Sequence, residues 1–186
     1  MALTLIKSLT ASGDSELEFI DGTDDVVMDS SYSVYEFIFV NLHAATNSVY
    51  FQFQVNATDD AGGDYDTSLI TSTFIAAYHD EDDGFATVGY ETGDDAAQSA
   101  SDIRLTKWVA NGNDESLSGK LTLYAPSSPT YVKHFMSRIS NYKIESAIVD
   151  THVAGYINDT TAIDEIRFKM SSGNIDDGTI YMYGVS

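Results

Sequence analysis

The sequence predicts an all-β fold, an antiparallel sandwich or barrel, and three observations carry that expectation. Short runs in which apolar and polar residues alternate recur along the whole chain, the period-2 pattern of half-buried strands. Gly, Asp, Asn and Ser punctuate these runs at short intervals and supply the turns. No segment carries a helical stripe that could serve as a crossover between parallel strands. The 12 Tyr and 9 Phe, with many Val, Ile and Thr, strengthen the case, because these side chains pack well on a pleated surface.

The elements follow in order. The first run contains Leu3, Leu5 and Leu9, with Ile6 out of phase; the second contains Leu17 and Phe19, with Val27 beyond it. Residues 34–42 are nearly continuously apolar, which predicts a central strand covered on both faces. Residues 48–56 alternate, with Gln52 and Gln54 on one face and Phe51, Phe53 and Val55 on the other. The link between them, residues 43–47, has the length of a hairpin loop. Further strands are expected at 73–78, 85–90, 103–109, 117–124, 131–139, 147–157, 163–170 and 179–185, about twelve in all. Near the end Ile166, Phe168 and Met170 alternate with Arg167 and Lys169, turn residues follow at 171–174 and 176–178, and residues 180–183 alternate again. That reads as two strands around a tight connection. The expected core includes Phe37, Phe39, Phe51, Phe53, Ile166, Phe168 and Tyr181. Residues 89–102, small, polar and acidic, read as a long exposed loop.

A chain of 186 residues is long enough for one hydrophobic core, so a single domain over 1–186 is expected. There is no cysteine, which removes disulfides, thiolate metal sites and cysteine catalysis together. The formal net charge is −20, and it is unevenly placed. Residues 1–103 hold 20 acids and one base, Lys7, whereas residues 104–186 hold 9 acids and 8 bases. Such a chain repels phosphate backbones, which excludes a nucleic-acid partner. The first residues lack a basic stretch followed by a long apolar one, and no apolar run approaches the ~20 residues that span a bilayer. A soluble protein made in the cytoplasm and not held in a membrane is the expectation.

No enzyme is expected, because GxSxG, P-loop and GxGxxG patterns are all absent. Two acidic clusters invite calcium, a hard cation that takes six to eight oxygen ligands. In the first, Asp59, Asp60, Asp64 and Asp66 surround a pair of glycines; the second runs from His79 to Gly84. Neither has the EF-hand spacing, and Asp and Gly also serve ordinary turns. His43, His79, His134 and His152 are scattered, with no HxH or HExxH pair, although His134 and His152 could meet across neighbouring strands. Trp108, expected on one strand face with Arg104 and Thr106, is an interface or sugar-stacking aromatic, or else a cap on the core edge.

The closing segment, residues 173–184, resembles the final hairpin of β-sandwich proteins from tailed-phage virions. Residues 32–42 resemble that family's central aromatic strand, and residues 49–55 followed by 62–65 its next strand and glycine loop. Residues 119–126 and 132–138 resemble its middle, so the likeness spans roughly residues 30 to 186. It implies a jelly-roll-like sandwich with no catalytic residues. It also implies a structural role in the virion, either as a decoration (cement) protein on the outer capsid surface or as a tail- or head-fibre module that recognises host glycans. A short chain without a repetitive shaft leans toward decoration, with the major capsid protein as partner. Interface cores are depleted in charge, so the partner surface is expected within residues 104–186, with Trp108, Tyr131, His134 and Tyr142 as candidates. A closed homo-oligomer, a trimer, would bury such a surface without an open end.

Overall fold

The protein, seen here in a computed structural model, is described at residues 2–60, 62, 63, 65 and 67–186. Among them thirteen strands and no helix are found. They are β1 (Leu3–Thr10), β2 (Glu16–Ile20), β3 (Val34–Ala44), β4 (Phe51–Ala57), β5 (Ile70–Asp80), β6 (Ala86–Tyr90) and β7 (Ala96–Ser99). Then come β8 (Ile103–Arg104), β9 (Leu117–Tyr124), β10 (Lys133–Lys143), β11 (Ala147–Ile157), β12 (Ile163–Met170) and β13 (Ile175–Val185). All pairings are antiparallel. One sheet has nine strands in the order β1-β13-β3-β9-β10-β11-β5-β6, with β7 also on β5; the other is β2-β12-β4-β8.

Eight of these strands make two facing sets of four, β1-β13-β3-β9 over β2-β12-β4-β8. Chain order crosses from sheet to sheet at β1–β2, β2–β3, β3–β4, β4–β5, β7–β8, β8–β9, β11–β12 and β12–β13, and the eight facing strands follow the double Greek key of a jelly roll. The remaining five strands come from two insertions, β5–β7 and β10–β11, and they widen only the larger sheet. Two sequence expectations change as a result. Residues 43–47 do not close a hairpin, and β12 and β13 do not pair with each other, because each link arches between sheets. Stacked sheets are only about 10 Å apart, so a few residues suffice to cross.

Between the facing sets lies an aromatic core. Phe168 on β12 sits at ring-centroid distances of 5.4, 5.2 and 5.8 Å from Phe37, Phe39 and Phe51, and 6.4 Å from Phe19. All five rings are fully buried, as are Phe53 and Ile166. Tyr181 is not part of this core. The inward residues of β13 are Ile180 and Met182, which places Tyr181 and Tyr183 on the outer face. In the second run the buried residues are likewise Val26 and Met28 rather than Val27.

Strand β3 is central in its sheet but covered on one face only. Tyr35, Phe37 and Phe39 point in, while Val34, Glu36 and Ile38 are half-buried and Val40 is exposed. A bulge between Phe39 and Leu42 places Asn41 at φ 50° and brings Leu42 back inside. Opposite it, β13 slips register twice around Gly178, whose φ is 103° and whose added Cβ would stand 2.4 Å from the Asn41 carbonyl. The Asp-Asp-Gly read as a turn is therefore a bulged stretch inside a strand.

The polar face of β4 is also covered. Gln54 is fully buried, donating to the carbonyls of Ala100 and Ser101 at 3.1 and 3.2 Å and accepting from the Val55 amide. Residues 89–102, expected as an open loop, contribute the end of β6 and β7 on β5 of the larger sheet, and their last residues lie against β4. The expected strand at 103–109 is real only for Ile103–Arg104. Beyond it Leu105 and Thr106 still bond to Phe51 at the start of β4, and the chain then crosses toward the larger sheet.

Candidate functional site

Two surfaces stand out against the strongly acidic background. The first is the outer face of the nine-stranded sheet. Along its middle strands the outward-pointing charged residues are Glu36, Lys120, Arg138 and Asp150. They form two ion pairs, Lys120–Glu36 at 2.7 Å and Arg138–Asp150 at 2.8 Å, the second a two-toothed guanidinium–carboxylate contact. Arg138 holds the Asp150 carboxyl below the usual carboxylate range. With these four residues the middle of the face is charge-compensated, on a chain of −20. Around the pairs lie Met136 at 56% exposure, Tyr124, Ile75, Ile148 and the half-buried Tyr181 and Tyr183. Strands β9, β10, β11 and β13 supply most of the face, so the charge asymmetry read from the sequence has a structural counterpart.

The structure distributes the four expected interface residues over two surfaces. Tyr131, 74% exposed, precedes β10, and His134 opens that strand beside Tyr156 on β11, ring centroids 6.2 Å apart. Tyr142 shares their outward face but lies eight residues further along β10, about 27 Å at the usual rise per residue. His152 faces Arg138 across β10 and β11 and lies 3.4 Å from Asp150, so the two histidines do not meet. Trp108 is on the opposite side of the sheet. It is half-buried and sits at φ 53°, which breaks the expected alternation with Arg104 and Thr106.

Trp108 belongs to the second surface. Nine strands face four, so β10, β11, β5 and β6 overhang the smaller sheet. Segment 105–110 closes part of this overhang from the inside. The Leu105 amide donates to the Phe51 carbonyl at 2.8 Å, and Thr106 Oγ1 accepts from the Phe51 amide at 2.8 Å. From the other sheet, Thr151 Oγ1 donates to the Leu105 carbonyl at 2.7 Å and Asn141 donates to the Lys107 carbonyl at 3.1 Å. Val109 bridges to Val49 and to Lys143. These ties hold Trp108 in a left-handed backbone conformation that costs a bulky residue about 1–3 kcal/mol.

The overhang is not filled beyond Trp108. A cavity of about 390 Å³ remains, bounded by Trp108, Tyr78, Phe85, Thr87, Lys107 and Glu91, with Asp80, Lys143 and Glu145 completing the wall. Its volume falls within the range of small-molecule sites. The Tyr78 and Trp108 rings lie 6.2 Å apart at 39°. Two ammonium groups sit against the indole, Lys107 Nζ at 4.5 Å and Lys143 Nζ at 5.2 Å from its centroid. Lys107 is also paired with Glu91 at 2.5 Å and Asp94 at 2.7 Å. Burial opposes its charge, but the two carboxylates overcome that and hold its pKa above the ordinary value. Lys143 pairs with Glu145. Tyr78 donates to Glu91 at 3.0 Å, and burial first, then that hydrogen bond, pushes its hydroxyl up to about 12.

The acidic clusters are less developed. Asp59 and Asp60 meet Asp159, from the β11–β12 link, with carboxylate oxygens of all three within 4.8 Å of one another. Asp64 and Asp66 lie outside the described residues. Thr161 Oγ1 donates to Asp59 at 2.9 Å, and Thr67 donates to Asp60. The fully buried Lys133 donates to the carbonyls of Asp159 and Thr161, so a cation already stands beneath the cluster. Burial lowers the pKa of that lysine, and the nearby Asp159 and Asp59 charges act against the shift. Among the described residues these three carboxylates are what the cluster offers toward the six to eight oxygens that calcium takes. At the second cluster, His79 lies 3.3 Å from Asp83 and the Gly84 amide bonds to Asp82, which is the β5–β6 turn closing on itself.

Sequence reading did not find Asp159, because nothing local links it to residues a hundred positions earlier. It named Trp108 but not Tyr78 and Phe85, which the β5–β7 insertion brings to it, nor the adjacent Lys107. Comparison of the chain with protein-family models, with curated proteins and with solved structures finds no match.

Proposed function

We propose that this chain is a non-enzymatic structural protein of a phage virion that binds the outer capsid surface as a decoration protein, docking on the major capsid protein through the outer face of its nine-stranded sheet. The observation that carries this reading is the charge-compensated outer face. A −20 protein pays least electrostatically to bury a surface whose charges are already paired, and this one is aromatic-rich and continuous across strands. The acidic loops then face solvent, which keeps the protein soluble and away from packaged DNA. A trimer closed about a local symmetry axis of the shell fits the same reading, because a ring leaves no open end.

Gel and mass analysis of purified particles tests the role. Hundreds of copies on DNA-filled heads are expected. A few dozen copies confined to the tail would instead assign the chain to a fibre or receptor-binding structure. The face is tested by Met136→Asp and Arg138→Glu, both at exposed positions, which should abolish occupancy of the particle while Asp25→Asn, in the acidic β2–β3 loop away from that face, leaves it intact.

A further inference from the structure

We propose that the cleft under the overhang binds a neutral saccharide ring, with Trp108, Tyr78 and Phe85 as its apolar walls and Lys107, Lys143, Glu91 and Glu145 as its hydroxyl partners. The inference goes beyond capsid docking and does not rest on it, since the cleft opens on the inner side of the sheet, opposite the ion-paired face.

The ligand class follows by elimination from the lining. An anion is disfavoured by Asp80, Glu91 and Glu145 around the cavity and by the field of a −20 chain. A cation is disfavoured because the aromatic box already holds the Lys107 and Lys143 ammoniums against the Trp108 ring. A purely apolar molecule would strip water from five charged groups with nothing in return. What remains is an uncharged molecule with an apolar face and a dense rim of hydroxyls. A pyranose has that form: its axial C–H face lies against an aromatic ring, and its hydroxyls serve as both donors and acceptors for paired charges.

Three further features fit a binding site better than a packing defect. The aromatic is held at φ 53° by hydrogen bonds from both sheets, so strain is kept where a filled core would have relieved it. Phe85 stands at the rim, 54% exposed, with no structural partner among the ring contacts of the described residues. The polar groups are satisfied by one another rather than by the core, so they are preorganised and in reach of a ligand.

Trp108 is the only tryptophan of the chain, so its fluorescence reports on this cleft alone. The full-length protein is titrated with neutral methyl glycosides of glucose, galactose, mannose and N-acetylglucosamine and with their short oligomers. Sodium glucuronate and choline serve as charged controls. At least one neutral sugar should shift Trp108 emission saturably. Phe85→Ala and the cleft-filling Thr87→Arg, both at exposed positions, should weaken that binding tenfold or more, while Arg138→Ala on the outer face leaves it unchanged. No saturable shift with any neutral sugar up to its solubility limit would overturn the proposal, as would a response to glucuronate or choline alone. Binding that survives both Phe85→Ala and Thr87→Arg would overturn the location. Loss of particle occupancy in the outer-face variants has no bearing on any of these outcomes.

Discussion

The two halves of the larger sheet solve the same problem differently. Where β1, β13, β3 and β9 face the smaller sheet, the interior is aromatic, and Phe168 touches five rings from three other strands, β2, β3 and β4. Where β10, β11, β5 and β6 extend past it, Phe135, Val149, Val153 and Phe74 continue the buried core, and beyond them one irregular segment is held by Thr151 and Asn141, with Lys107 and Lys143 against its indole. The second half adds area on the outer face and a cleft on the inner one.

The contrast can be broken first at its strongest point. Phe168→Ala should cost about 3–5 kcal/mol, the usual loss for a large aromatic in a packed core, read as a fall in thermal or urea midpoint. A comparable loss from Thr151→Ala or Lys143→Ala, at the far side of the larger sheet, would contradict the division.

High pH sharpens it next. Tyr35, in the covered half, is fully buried and donates to the Asp29 carbonyl at 2.8 Å; burial, then the Asp29 charge, pushes its hydroxyl up to about 12. Tyr78, in the overhang, is raised to a similar value. A raised folded-state pKa gives stability that is fully present below the unfolded value near 10 and lost as pH climbs to about 12, on the order of 2 kcal/mol for each group. Denaturation curves across that window should therefore show the wild type converging on Tyr35→Phe and on Tyr78→Phe. Parallel curves would mean that the two phenols do not titrate with unfolding.

Smaller effects are expected in the overhang. Thr151→Val removes the hydrogen bond to the Leu105 carbonyl and should cost about 1 kcal/mol, together with a change in Trp108 emission as segment 105–110 loosens. Val88→Ser, at a position 70% exposed on edge strand β6, should change stability by less than about 0.5 kcal/mol.

The all-β class and most strands were legible because alternation is a local signal: Phe51, Phe53, Ile166 and Phe168 point inward as their spacing requires. Phase was harder to read where apolar residues occupy both faces. Residues 180–183 offer Ile, Tyr, Met and Tyr in turn, and only the partner strands decide that Ile180 and Met182 are inside. Residues 34–42 misled for the same reason, since an apolar outer face resembles burial on both sides when the surface is an open sheet rather than a core. Sheet assignment was not legible at all. A five-residue link serves a hairpin or an arch between sheets equally well, and nothing within residues 43–47 distinguishes them. The cleft was half legible. Trp108 drew attention as the only tryptophan, but its φ of 53° and its neighbours depend on pairings among β4, β5, β10 and β11.

The most direct test of a docking face on one side and an open cleft on the other is hydroxyl-radical footprinting of the protein free and on purified particles, read by mass spectrometry. The predicted result is that Met136, Tyr124, Tyr156 and Tyr183 lose reactivity on the particle while Phe85 and Trp108 keep theirs. Protection of Phe85 and Trp108 with Met136 and Tyr183 left reactive would contradict it and turn the molecule around.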